Sequence, residues 1–347
     1  MEHYVGIDVS LALSSVCVLD AVGSIVREAK VASEPDALVG FLRDLGLPIA
    51  NVGLEAGPLS AWLYDGLKSA GYEVALLETR QVKAALSAMA VKTDRRDARG
   101  IAQLLRMGWY RPVHRKSASS QEVRALLAAR KQMQGRLIDL EQTTRGLLRG
   151  FGLKMGETTR GRFEQRVLEL VARHDMLGRV MRPMLRAREA LRRELADLHK
   201  QTLAIARDDA VCHRLMTVPG VGAIVSLTFR AGVDDPSRFA KSKMLGAYFG
   251  LTPRRYQSGE TDVVGSITKA GDASVRTALY EAANVLLTRV ARYSSLKCWA
   301  MQVAKRRGLK RARVALARKL GVVLHRIWVD GSEFRWGKED AAAAIAA

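Results

Sequence analysis

Tyr4-Val5-Gly6-Ile7-Asp8-Val9-Ser10 is an apolar run that ends on a carboxylate, and the way the chain continues from it decides the fold. Its β-prone residues predict a strand over residues 4–9. Two more such runs follow at short spacing, 14–19 and 24–31, with turn chemistry at Asp20-Ala21-Val22-Gly23 between them. Three strands so close together read as an antiparallel meander. The period then changes. Residues 35–45 have helical spacing, 51–55 form a short buried strand ending on Glu55, and 59–70 are helical. Residues 73–77 are strand again, and 82–89 and 95–107 are helical. The order βββαβαβα predicts an α/β domain with a mixed sheet over residues 1–115.

Pro112 and the polar residues 115–120 mark a boundary, and no strand signal follows from 121 to about 206. Leu177, Met184, Leu191 and Leu198 recur at heptad spacing, with Met181 and Leu195 on the alternate seam positions. That is a short coiled-coil pattern, compatible with an antiparallel helical hairpin or a dimerising coil. Arg188 falls on the seam and must snorkel or pair. Residues 145–166, rich in Gly and Arg, interrupt two long helices. A third, mainly helical region spans residues 207–335, with a turn at Val218-Pro219-Gly220-Val221-Gly222. A Gly/Ser-rich loop is expected at 257–271, a helix at 274–291 and a basic helix at 310–328. The alanine-rich tail, 336–347, is expected to be disordered.

The 347 residues carry 56 Lys and Arg against 35 Asp and Glu, a formal net charge of +21. Such an excess repels itself unless a polyanion is the usual partner, and nucleic acid is the commonest one. A membrane surface is the rival, but no amphipathic anchor, lipidation signal or bilayer-spanning run is present. The chain enters its first strand directly, so no signal peptide is expected. The three cysteines, Cys17, Cys212 and Cys298, are dispersed and odd in number, which suits a reducing cytoplasm. None of the six histidines has zinc-pair spacing.

Asp8 and Glu55 each end a predicted strand; if those strands are neighbours, both side chains converge at one sheet edge. Asp94 and Asp97 are three apart on a helix and share a face. Each taken alone reads as a turn or cap residue, and Thr93 or Asp94 can be the N-cap. Taken together, four carboxylates repel one another unless a hard divalent cation such as Mg2+ binds them. Two such cations can stabilise both the attacking and the leaving oxygens of phosphoryl transfer. The turn at Gly220 and Gly222 looks like a helix-hairpin-helix, whose exposed amides hold a phosphate without reading sequence. A simple interhelical turn is the plain alternative.

Gly6-Ile7-Asp8-Val9-Ser10, Leu54-Glu55-Ala56 and Lys92-Thr93-Asp94-Arg95-Arg96-Asp97-Ala98 resemble the DEDD set of the RuvC-like transposases of the IS one-ten insertion-sequence family. Gly250-Leu251-Thr252-Pro253-Arg254-Arg255-Tyr256-Gln257-Ser258-Gly259 and Ser266-Ile267-Thr268-Lys269-Ala270-Gly271 resemble that family's C-terminal transposase domain. The resemblance extends from about residue 3 to about residue 330 and meets no departure at the five catalytic positions. It implies an RNase H-type, RuvC-like N-terminal fold, with Asp8, Glu55, Asp94 and Asp97 as magnesium ligands. Ser258 is implied as the nucleophile of a DNA recombinase, with Arg254, Arg255 and Lys269 supplying positive charge to the reacting phosphate. It further implies a homo-oligomer in which carboxylate and serine sites meet between protomers. A bridge RNA would pair with donor and target DNA, in a prokaryotic cytoplasm where the enzyme acts on the nucleoid. Read from the residues alone, a loop serine before glycine is a turn residue and the three cations are solvated surface charges or phosphate clamps, not catalysts. The alternatives are a junction-resolving nuclease using only the carboxylates and a non-enzymatic nucleic-acid-binding protein. A sugar-kinase-like ATPase shares the first strand motif but lacks a second phosphate-binding glycine loop.

Overall fold

The computed structural model describes residues 2–87 and 93–337, which form two compact units meeting at Lys116 and Ser117. In the first, β1 (His3–Asp8), β2 (Leu13–Leu19) and β3 (Ile25–Ala32) are the antiparallel meander. After α1 (Pro35–Asp44), β4 (Ile49–Glu55) returns parallel to β1. After α2 (Ser60–Ser69), β5 (Val74–Leu77) adds parallel to β4. The sheet order β3-β2-β1-β4-β5, with three antiparallel strands followed by two parallel ones, is the RNase H-type arrangement. It is the mixed sheet that the element order predicts.

The two sheet faces are covered differently. Val5, Ile7, Val52 and Leu54 point to one face and pack with Leu38 and Leu42 of α1 and Leu63 and Leu67 of α2. The other face is met by α4 (Asp94–Arg106), which buries Ala98, Ile101, Ala102, Leu104 and Leu105. Burying each large apolar side chain there contributes roughly 1.5–3 kcal/mol. The short helix α3 (Thr79–Leu86) precedes α4, and the part of the predicted 82–89 helix beyond Ser87 lies outside the described residues.

The second unit begins with α5 (Ala118–Gly150), followed by α6 (Phe163–Val171) and α7 (Asp175–Asp208). Arg130 meets His199, and Glu141 meets Arg188. As the α5 number rises the α7 number falls by the same step, so the two helices run antiparallel in one register. The heptad seam is therefore used inside one chain, as a helical hairpin. Arg188 is paired, as its seam position requires: its Nε donates to Glu141 Oε1 at 2.7 Å, and its guanidinium lies 4.4 Å from the Phe163 ring centre.

The remaining helices are α8 (Ala210–Met216), α9 (Ala223–Val233), α10 (Met244–Tyr248), α11 (Ala273–Thr288), α12 (Ser295–Arg307) and α13 (Leu309–Asp330). They enclose a core around Phe229, Phe249, Leu279, Leu316 and Leu320. The expected loop at 257–271 is corrected here. Most of it is a hairpin of β6 (Pro253–Ser258) and β7 (Thr261–Ile267) joined by Gly259 and Glu260. Nearly every residue of both strands is exposed, so neither face imposes the apolar alternation that marks a strand in sequence. Trp336 meets Phe334 edge-on and sits under Arg292; of the expected tail, residues 338–347 lie outside the described residues.

Candidate functional site

The carboxylates of the first unit are placed by two short repeats of one pattern, Gly6-Ile7-Asp8 and Gly53-Leu54-Glu55, each closing a strand. β1 and β4 are parallel neighbours with Gly6 opposite Gly53 and Ile7 opposite Leu54. Asp8 and Glu55 are therefore the next pair along, and the pleat turns both toward the face that their glycines occupy. That face belongs to α4. A Cβ on Gly6 would lie 3.0 Å or less from Ala98 O, Ala102 N and Ala102 Cα. A Cβ on Gly53 would lie 2.5 Å from Leu105 Cδ1. The two glycines let the helix lie on the sheet.

These contacts also fix the direction of α4. Gln103 and Arg106 reach Gly23 and Ala21 in the β2–β3 turn, by the start of β1, and Ala98 sits over Gly6. The first turn of α4, with Asp94 and Asp97, thus lies toward the end of β1 that carries Asp8. Thr93 takes the cap, accepting the Arg96 amide at 3.3 Å, so Asp94 is the first helical residue and not the cap. Acidic residues in this turn also suit the positive end of the helix dipole. Asp8 and Glu55 are half-buried and line one cavity of about 330 Å³ with Ser10, Gly57 and Leu59. Asp97 is half-buried and Asp94 exposed.

Two of the four predicted ligands thus share a cavity, and the other two stand in the first turn of α4, which does not line it. Among the described residues no group of three or more Asp, Glu, His or Cys side chains is arranged to hold a metal ion. Carboxylate oxygens are the hard donors that magnesium takes, but the described residues do not gather all four carboxylates around one point. The sequence reading used Gly6 only as part of a motif and passed over Gly53. The repeated Gly-Ile-Asp and Gly-Leu-Glu steps are the signal for both.

In the second unit, Ser258 is the last residue of β6, exposed, and pairs with Thr261 across a turn where Gly259 has φ 54°. Strand alternation puts Tyr256 and Val263 on its face and Arg255 and Asp262 on the other. The base of the hairpin is tightly held. Gly250 and Gly271 take positive φ, and Cβ atoms there would collide with the backbone of Ala270 and of Tyr248. Arg276 Nη1 donates to Phe249 O at 3.0 Å and Ala270 O at 2.8 Å, tying the two ends of the hairpin together. The sequence assigns Arg276 no role; its part in the clamp comes from the fold.

The three predicted cations differ. Arg255 makes a two-pronged ion pair with Asp262, at 2.8 and 2.6 Å, which holds the Asp262 carboxyl below its ordinary range. Among the described residues Arg254 reaches the Thr268 carbonyl, at 3.5 Å. Lys269 has φ 54° and donates its amide to Gly250 O. The structure therefore engages Arg255 across the ribbon, on the face away from Ser258. The Gly220–Gly222 turn does join two helices, α8 and α9. Gly220 has a packing reason, since with φ 88° its Cβ would lie 2.6 Å from Ala282 O in α11. Gly222, at the start of α9, is exposed with open space around it. Among the described residues no helix is long and apolar enough to cross a membrane.

Two family models match the chain, the first running from the first unit through α5 of the second. A DEDD-type IS110 transposase model matches residues 5–152, and a model described as "Transposase IS116/IS110/IS902 family" matches residues 212–299. The transposase for insertion sequence element IS1111A of Coxiella burnetii is 29% identical over 340 residues, covering 96% of this chain and 91% of its own. A Pseudomonas aeruginosa protein named "Probable family 20 transposase" is 30% identical over 287 residues, covering 80% of this chain and 83% of its own. The Thermus thermophilus RuvC structure aligns with a TM-score of 0.26 and 17% identity, over 32% of this chain and 99% of that one. With both units matched and relatives similar over most of their length, the chain belongs to the IS110 family of insertion-sequence transposases, enzymes that act on DNA.

Proposed function

We propose that this transposase is a site-specific DNA recombinase that moves its own element by strand exchange, using Ser258 as nucleophile and Asp8, Glu55, Asp94 and Asp97 as a magnesium site. The observation that carries the carboxylate half is the shared cavity of Asp8 and Glu55 at the edge where α4 begins with Asp94 and Asp97. The serine half is supported by the exposure of Ser258 at the end of a ribbon clamped at its base.

In the reaction the Ser258 Oγ–P bond forms as one P–O bond to deoxyribose breaks. The serine hydroxyl loses its proton and the departing sugar oxygen gains one. Attack of that freed hydroxyl type on the phosphoserine then reseals a strand and regenerates Ser258, so bond number is conserved without hydrolysis. Magnesium, when bound, neutralises charge on the phosphate oxygens. The carboxylates would hold it and orient the phosphate, and the clamp holds the base of the ribbon whose tip carries Ser258. Arg254 and Lys269 add positive charge near the same ribbon. Sequence choice is assigned to a bridge RNA paired with donor and target DNA, with the protein holding backbone and shape. The working assembly is a homo-oligomer.

The test is recombination between plasmids carrying donor and target, with the element's RNA present. Ser258→Ala should abolish joining while leaving nucleic-acid binding intact. Asp8→Asn should abolish metal-dependent activity, and chelator should do the same to the wild type. Cleavage by Ser258→Ala in magnesium would instead identify a carboxylate-only nuclease. Copurification of no specific RNA from cells holding the whole element would remove the guide from the account.

A further inference from the structure

Between Glu281 and Asp330 the chain has twelve Lys and Arg residues and no Asp or Glu. The densest part is the knuckle between α12 and α13, where the chain turns at Gly308 with φ 79°. Lys305, Arg306, Arg307, Lys310 and Arg311 are all exposed there. Among the described residues none of these five is ion-paired to a carboxylate.

Two ordinary explanations for surface cations are available, and neither covers the whole of this knuckle. A solvated helix face is laced with ion pairs, as α5 and α7 are by Arg136–Asp139 and Arg192–Glu189. The knuckle has no such pair. Cations also suit the negative, C-terminal end of a helix, which accounts for Lys305, Arg306 and Arg307 in the last turn of α12. Lys310 and Arg311 stand in the first turn of α13, at its positive end, where the same dipole disfavours them. A local rule broken without compensation inside the fold marks a surface shaped by a partner.

We propose that this knuckle is a docking surface for the phosphate backbone of duplex DNA, made of residues that take no part in the carboxylate or serine chemistry. The partner follows from spacing as well as charge. Arg311 and Arg318 are both exposed and seven residues apart, which puts them on one side of α13 about 10.5 Å apart along its axis. The major groove of B-DNA is about 12 Å wide, so two such cations reach phosphates on its two rims. An A-form RNA duplex has a narrow, deep major groove that does not offer its rims at this spacing. Lys319 is held beside Arg318 by the Trp299 ring, 4.1 Å from its Nζ. The proposal rests on the reading that the chain holds DNA, and not on the assignment of Ser258.

The experiment measures equilibrium binding, by fluorescence anisotropy, of the full chain in a Ser258→Ala background without magnesium. The probe is a duplex of arbitrary sequence, about 30 bp, titrated from about 50 to 300 mM KCl. The variant is Lys310→Gln with Arg311→Gln and Arg318→Gln. Three lost phosphate contacts should make the slope of log K against log salt shallower by roughly 2.7 and weaken binding a few hundredfold near 0.1 M salt, on the order set by counterion release. Its melting temperature should be unchanged or higher, because two cations leave the positive end of α13, so unfolding is separable from lost binding. A charge-matched control, Arg149→Gln with Arg186→Gln and Arg193→Gln, should keep most of the wild-type slope. A wild-type slope in the test variant, or an equal loss in the control, overturns the proposal. So does a loss on an A-form RNA duplex equal to or larger than that on DNA. A variant that binds normally while Ser258→Ala blocks joining would remove this surface and leave the proposed function standing.

Discussion

Replacing Gly6 by alanine adds one methyl group at the point where α4 lies on β1. Three backbone atoms of α4 would stand 3.0 Å or less from it, and two of them belong to Ala102. Backbone cannot rotate away as a side chain can, so the helix must retreat by about 1 Å, an overpacking loss of roughly 2–4 kcal/mol. In a unit of this size each kcal/mol lowers the melting temperature by about 4–8 °C, so the first unit should melt roughly 10–20 °C earlier. Gly40→Ala is the matched control. Gly40 lies inside α1 with nothing within 4 Å of a built Cβ, so the same methyl group should stabilise by about 0.5–1 kcal/mol. Differential scanning calorimetry of the two full-length variants reads both signs at once. Because the retreat also moves Asp94 and Asp97 away from Asp8, Gly6→Ala should lose strand joining even below its melting point. A Gly6→Ala protein that melts within about 2 °C of wild type would refute the reasoning that the glycines seat α4 and bring the carboxylates to one edge.

Two further outcomes follow from buried charge. Arg188 is 3% exposed and Glu141 22%, so Arg188→Leu alone should destabilise the helical hairpin by about 2–4 kcal/mol, and adding Glu141→Leu should recover most of that in urea titrations. At Asp272, burial pushes the carboxyl up, but the Arg124 guanidinium and the Ser274 and Val275 amides outweigh it and the net direction is down. A carboxyl depressed in the fold gives stability that is full above its unfolded value and lost as pH falls through its folded one. Between pH about 6 and 2, the wild type should therefore lose urea stability more steeply than Asp272→Asn, most of it below about pH 4, and parallel curves would exclude the linkage.

The first unit was legible in the sequence because each of its central strands faces two different surroundings. Val5 and Ile7 must be apolar for α1 and α2, while Gly6 and Asp8 answer to α4 and the cavity, and that contrast shows as a pattern. The β6–β7 ribbon has no buried face, so its strands carry no alternation and read as loop. Arg188 on a heptad seam signalled a partner but not which; Glu141, 47 residues away, becomes its neighbour only once α5 and α7 fold back. The carboxylates were visible as residue types, whereas their placement depends on Gly6 and Gly53, whose meaning lies in the helix that crosses them. Arg255 looked like a free cation because Asp262 reaches it only through hairpin register.

The most direct measurement of the central claim is the identity of the residue that becomes joined to DNA. Active protein is mixed with magnesium, the element's RNA and a donor carrying a strand nick that blocks resealing, then denatured, digested and sequenced by mass spectrometry. The account predicts a nucleotide adduct on the peptide containing Ser258, absent from Ser258→Ala and from Asp8→Asn. Strand exchange without any protein-linked nucleotide, or an adduct on a different residue that persists in Ser258→Ala, would contradict it.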